Sequence, residues 1–162
     1  MSESNEENSI LYSQSGECPQ IIKEINAIKT VETGGGRFSG YTTTYGYSVV
    51  TNNDICKFMK ATISPGQSCC EIYGAHITDN ILNETETHGE FDVEKYIGAT
   101  ILDVEYKVSF NSDYSSSDGY VNIFVNTTNG KFLITLYNEN NRHYDHDYQI
   151  TINGITLISD SI

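Results

Sequence analysis

The sequence predicts an all-β, mainly antiparallel domain, either a two-sheet sandwich or a partly open barrel with at most one short helix. Three observations carry this. Runs rich in Ile, Val, Thr and Tyr recur along the chain, several of them alternate apolar with polar residues, and Asn, Gly and Ser clusters punctuate them. At 162 residues and 18.1 kDa the chain suits one domain, and 38% hydrophobic residues suffice for a core.

Residues 1–17 are Ser, Glu and Asn with little to bury, so they read as a mobile acidic tail whose only apolar handles are Ile10, Leu11 and Tyr12. Residues 18–162 form the single β-rich domain. Ile21 to Val31 fits a short helix by spacing and a strand by β-branched content, and is assigned to a strand. Tyr41 to Thr51 is the next strand, and Asn52-Asn53-Asp54 turns it into Ile55 to Ile63, which stops at Ser64-Pro65-Gly66. The acidic stretch Thr78 to Tyr96 holds the one plausible helical turn.

Ile97 to Phe110 alternates Ile101, Asp103, Glu105 and Lys107 against Leu102, Val104, Tyr106 and Val108, the period of a half-buried strand. Asn111 to Gly119 reads as a loop. Tyr120 to Asn126 and Lys131 to Tyr137 then flank the turn Thr127-Thr-Asn-Gly130 as a hairpin. Tyr148, Ile150 and Ile152 alternate up to Asn153-Gly154, and Ile155 to Ile158 makes the last strand. The two central hairpins share Gly-Tyr in their first strands and Lys-Phe in their second, which suggests a duplication.

The charge excludes some partners. Nine Lys and Arg stand against 22 Asp and Glu, for a net charge of -13, with -4 in residues 1–81 and -9 in residues 82–162. Such a chain repels nucleic-acid phosphates and anionic lipid, so neither nucleic acid nor membrane is expected as a partner. No apolar run of membrane-spanning length occurs, and the acidic N-terminus lacks the basic start of a secretory signal, so the expected compartment is the cytoplasm. Four cysteines would then stay reduced; Cys69 and Cys70 are adjacent and poorly placed to bridge each other.

Two clusters carry metal-ligand chemistry. Cys69, Cys70 and Glu71 follow a Pro-Gly turn, and His143 and His146 lie in an Arg-His-Tyr-Asp-His-Asp run. Thiolate, imidazole and carboxylate are the donors zinc takes, so these five residues are the candidate site, with no cofactor favoured and zinc the one the donor set permits. Adjacent cysteines in a strand point to opposite faces, and structural zinc usually shows a two-residue Cys spacing. Other motifs fail on spacing. His88-Gly-Glu90 has no Pro-Cys-x-x-Cys after it, and Gly34 to Gly36 lacks the Lys-Ser/Thr ending of a phosphate loop. Asp113 to Gly119 resembles half a calcium loop, but its Gly comes one place late and Phe124 stands where Glu is required.

Four segments together resemble a family of small bacterial and phage proteins known only as a domain of unknown function. They are Gln67-Ser-Cys-Cys-Glu-Ile-Tyr-Gly74, Tyr96-Ile-Gly-Ala-Thr-Ile-Leu-Asp-Val-Glu105, Phe124-Val-Asn-Thr-Thr-Asn-Gly130 and Tyr137-Asn-Glu-Asn-Asn-Arg-His-Tyr-Asp-His146. The resemblance covers about residues 41–153 and implies a β-rich fold with no activity attached. It departs in the last motif, where Asn140, Arg142, His143 and Asp145 replace family residues and His146 alone is kept. An Ile-, Asn- and Tyr-rich composition suits an AT-rich genome, such as that of a low-GC bacterium or a giant virus, in which case the compartment is the host cytoplasm.

The functional expectation is a non-enzymatic binding or assembly module that contacts a protein partner, or another copy of itself as a homo-oligomer, through hairpin edges and Tyr-rich loops. The alternatives are a zinc-type metal-binding protein, with hydrolase activity as one form, and a small-molecule sequestering protein.

Overall fold

A computed structural model describes residues 9–16, 18–33, 41–53, 58–64, 72–81, 91–113, 116–141 and 145–162. The described residues form ten strands: β1 (Ser9–Ser13), β2 (Ile22–Thr33), β3 (Tyr41–Thr51), β4 (Met59–Ile63), β5 (Ile72–Thr78), β6 (Ile101–Asp113), β7 (Ser116–Thr127), β8 (Gly130–Asn141), β9 (Asp147–Ile152) and β10 (Ile155–Ser161). They form two antiparallel five-stranded sheets, ordered β1-β6-β7-β8-β5 and β10-β9-β4-β3-β2. Each sheet keeps two edges, so the architecture is a sandwich and not a barrel.

The core is the alternation made physical. Val49 on β3, Met59, Ala61 and Ile63 on β4, and Tyr148, Ile150 and Ile152 on β9 point inward from one sheet. Val104, Val121, Ile123, Val125, Phe132, Ile134 and Leu136 answer from β6, β7 and β8 of the other. All are buried, and each such branched aliphatic contributes roughly 1.5–3 kcal/mol before chain entropy is subtracted.

Eight strands match the sequence expectation, and two do not arise from it. β1 lies inside the stretch expected to be a tail; it pairs antiparallel with β6, and Tyr12 meets Phe58 edge-on at 4.9 Å. β5 carries its alternation on Tyr73, Ala75 and Ile77, but Gly74 and His76 between them hide it. The expected loop 111–119 is instead the far end of a long hairpin, in which Asn111 pairs with Asp118 and Asp113 with Ser116. Asn111 to Ser117 is almost wholly polar, so it leaves no apolar period to read.

β6 starts at Ile101, later than the apolar run that begins at Ile97. Residues Val93–Lys95 form a 3₁₀ turn capped by the Asp92 side chain on the Glu94 N–H, and Gly98 sits at φ 84°, where a side chain is strained. Tyr96 is the anchor of this turn. It is fully buried, stacks on Phe91, meets Phe132 edge-on, and donates its hydroxyl to the Lys131 carbonyl at 3.1 Å. Asn153 (φ 50°) and Gly154 (φ 78°) make the two-residue turn between β9 and β10, whose positive φ pair explains that dipeptide. In the β7–β8 turn, Thr127 Oγ1 donates to the Gly130 carbonyl and accepts from the Asn129 N–H.

Two positions on the outer side of β3 make opposite demands. A Cβ on Gly46 would fall on the Ala61 carbonyl oxygen of β4, which cannot move without opening the sheet. Ser48 is fully buried, and its hydroxyl has no hydrogen-bond partner among the described residues. Gly46→Ala is therefore expected to destabilise the fold by about 2–4 kcal/mol, while Ser48→Ala leaves stability unchanged or raises it by roughly 1 kcal/mol. Urea midpoints at constant slope measure both, and equal shifts of the same sign would contradict this account of β3.

Candidate functional site

One end of the sandwich gathers the ring-bearing side chains. There β4 stops and β9 starts side by side, with the Ser64 N–H donating to the Asp147 carbonyl at 2.8 Å. His146, the residue before β9, exchanges both backbone hydrogen bonds with Ile162, at 2.8 and 3.0 Å. That pairing draws Ile162 into the core, where Asn138 Nδ2 donates to its carbonyl at 3.0 Å. Gly119 leaves room for it, since an added Cβ would come within 3.0 Å of the Ile162 side chain.

The His146 ring is fully buried. Its Nδ1 lies 3.1 Å from the Ser64 carbonyl oxygen, which can only accept, so Nδ1 carries the hydrogen. The ring stacks on Tyr73 of β5 at 4.4 Å and 22°. Tyr73 donates its hydroxyl to the Thr43 carbonyl of β3 at 2.6 Å and meets the edge of Tyr45 at 5.5 Å. Lys29 Nζ stands 5.9 Å from the Tyr45 ring centre. A chain of rings thus links β9, β5, β3 and β2 across the two sheets.

A second group occupies the outer face of β5, β7 and β8. His76 stacks on Tyr137 at 5.0 Å, and the Tyr137 hydroxyl lies over Gly74, where any Cβ would be 2.7 Å from it. A glycine in a strand is weak unless a ring covers it, and Tyr137 does so. Tyr120, paired opposite Tyr137, donates to Glu139 Oε1 at 3.2 Å. Burial, with help from Glu139 and Asp118, pushes the Tyr120 phenol up to about 12. Burial, then Asp160 and Tyr106, does the same for Tyr148. Burial and Glu139 also raise Tyr137, and burial and Tyr137 raise Tyr47. These phenols are proton holders near neutrality, suited to donate hydrogen bonds and to pack.

Of the five residues with metal-ligand chemistry, Cys69, Cys70, Glu71 and His143 lie outside the described residues. His146 is the one described, and its ring is engaged by Ser64 and Tyr73. No group of three or more His, Cys, Asp or Glu side chains able to hold a metal ion occurs among the described residues. Cys18 is exposed with a free thiol. Of the tyrosines in the Tyr-rich segments, Tyr45 belongs to the ring chain at this end and Tyr120 and Tyr137 to the outer-face group, while Tyr114 and Tyr144 lie outside the described residues. Tyr73, Gly74 and His76 were not readable as site residues, although Tyr73, Ala75 and Ile77 keep a two-residue period.

The chain matches no protein-family model, no curated protein and no solved structure.

The raised phenols make stability fall at alkaline pH. Tyr120 and Tyr148 hold their protons up to about 12 when folded, whereas the unfolded chain releases them near 10. Their contribution is therefore fully present below pH 10 and is lost as pH rises towards 12. Phenolate absorbance is expected to show late-titrating tyrosines in the native protein and one common step in urea. Tyr148→Phe should remove part of the late step, and native tyrosines that all titrate together near 10 would contradict the assignment.

Proposed function

We propose that this protein is a non-enzymatic binding or assembly module, acting through contacts with a protein partner or with another copy of itself. The observation that carries this reading is where the exposed apolar side chains lie. Ile10 is on β1, Val31 on β2, Ile72 on β5, and Ile155 and Leu157 on β10, the four sheet edges; Phe110 is near the tip of the β6–β7 hairpin. Ile97, before β6, and Leu102, on β6, are the two exposed large apolar residues that lie elsewhere; the other six fall on strand edges or near a hairpin end, surfaces at which another chain can add. The net charge of -13 weighs against nucleic acid as that partner. No described helix is long and apolar enough to cross a membrane, and a cytoplasmic location belongs to this proposal.

One observation favours a second reading, a zinc-type site. The Ser64–His146 hydrogen bond holds the end of β4 beside the start of β9, so the described residues that flank Cys69 to Glu71 and those that flank His143 meet at one end of the sandwich. An imidazole whose Nδ1–H is fixed by a backbone carbonyl is also the usual posture of a zinc-binding histidine.

Native mass spectrometry before and after a chelator separates the two. A defined, metal-free oligomer or partner complex that survives chelation is the expected result. A monomer carrying one zinc, with zinc and folding lost together, would overturn the leading reading and support the second.

A further inference from the structure

The four sheet edges differ in how they are protected. β1 is five residues long with a bulge between Ile10 and Tyr12, β2 has a bulge between Ile22 and Glu24 and carries Lys23, Glu24, Lys29 and Glu32, and β10 has a bulge between Thr156 and Ile158 and carries Asp160. Bulges, short length and charge are the devices that stop an edge from templating another strand. β5 has none of them. Ile72-Tyr-Gly-Ala-His-Ile-Thr78 pairs with β8 in seven unbroken register positions and holds no Lys, Arg, Asp, Glu or Pro.

The sheets are also offset. β5 packs across β3 and β4, and of the next strand out, β2, Ile22 and Ile25 reach the core while the residues after Ile28 are exposed. β2 residues paired with the inward-facing Val49, Tyr47, Tyr45 and Thr43 are Ile25, Ala27, Lys29 and Val31. They face inward, and among the described residues no strand of the opposite sheet packs closely on them. Ile25 is half-buried, Ala27 and Lys29 are exposed, and Val31 is 52% exposed. The result is a step, with the β5 edge as its wall and the inner side of β2 as its floor.

We infer that this step binds an extended peptide segment, which adds to β5 as a sixth strand and lays alternate side chains on the β2 floor. The inference rests on the binding-module reading and names its surface and partner. β5 offers seven residues, which a guest of about that length would match over roughly 24 Å. The offset selects a lone strand: an occupant that brings its own second layer on the inner side, as a copy of this chain paired antiparallel through its own β5 would, meets β2. The floor also selects chemistry. Lys29 is the one charged side chain among the inward positions Ile25, Ala27, Lys29, Val31, Thr43, Tyr45 and Tyr47. The guest therefore alternates apolar side chains and carries one carboxylate opposite Lys29.

A random seven-residue peptide library displayed on phage, selected on the wild-type protein and on Lys29→Glu, tests this. Lys29 is exposed, so the variant keeps the fold. Wild type is expected to enrich alternating apolar peptides with Asp or Glu at one fixed place, and Lys29→Glu to replace it with Lys or Arg. The enriched acidic peptide, synthesised, should bind wild type roughly threefold to tenfold more tightly than Lys29→Glu and slow hydrogen exchange at β5 amides. Enriched peptides that ignore Lys29 and leave β5 exchange unchanged would overturn the groove while sparing the binding-module reading. No enrichment, together with a monomer in native mass spectra, would remove both.

Discussion

The offset between the two sheets is the constraint from which the rest of the molecule follows. β4 ends at Ile63 in one sheet, and β5 begins at Ile72 at the edge of the other, packed across β3 and β4. Once β5 is placed there, β3 and β4 lie over the centre of the sandwich, and β2 reaches the core through Ile22 and Ile25 while its later residues stay exposed. The burial of residues follows strand by strand: Val49 on β3 is fully buried, whereas its β2 partner Ile25 is only half-buried. Hydrophobic driving force is proportional to the apolar area removed from water, so β2 is held mainly by its long pairing with β3.

That offset needs a tie at the end where the chain crosses between layers, and the ring cluster is the tie. Stacked and edge-on rings add roughly 0.5–1.5 kcal/mol per pair beyond their buried area. Tyr73 makes one contact of each kind and a hydroxyl bond to a β3 carbonyl, which fixes β5 to both β3 and the residue before β9. The fully buried His146 ring is tolerated because its Nδ1–H reaches the Ser64 carbonyl. The same bond closes the corner between β4 and β9, and the Ile162 pairing seals the end above it.

Legibility in the sequence tracked the amount of core each strand touches. β6 and β9 alternate openly because one face of each meets the opposite sheet, whereas β7 and β8 are legible from their β-branched and aromatic runs and are buried on both faces at 121–125 and 132–136. The β9–β10 turn dipeptide Asn153-Gly154 is the one its positive φ values require. β1 and β5 were hidden for different reasons. β1 is five residues in an acidic, polar stretch, and one pairing with β6 and one ring contact suffice to hold it. β5 is interrupted by a glycine whose cover, Tyr137, lies on another strand, so its stability is a tertiary fact. The site was less legible than the fold for the same reason. Ring partners such as His146 and Tyr73 lie far apart in sequence, and spacing within a motif says nothing about contacts across a sandwich.

The acidic surface completes the argument about edges. Asp103, Glu105 and Glu139 share the outer side of β6 and β8 with Lys107 and Lys131, and Asp103 accepts from Asn126 of β7 across the strands. These charges stand on the face turned away from the β2 floor. Between copies they repel, and repulsion among highly charged chains keeps regular edges apart at a distance. At contact, screening confines each charge to about 8 Å at physiological ionic strength, so a single local cation can decide which guest is accepted. An edge free of bulge and charge, beside a floor with one lysine, is therefore compatible with a chain of net charge -13. The general charge acts at long range on any acidic chain, and in the proposed groove Lys29 is the cation that an acidic strand would meet.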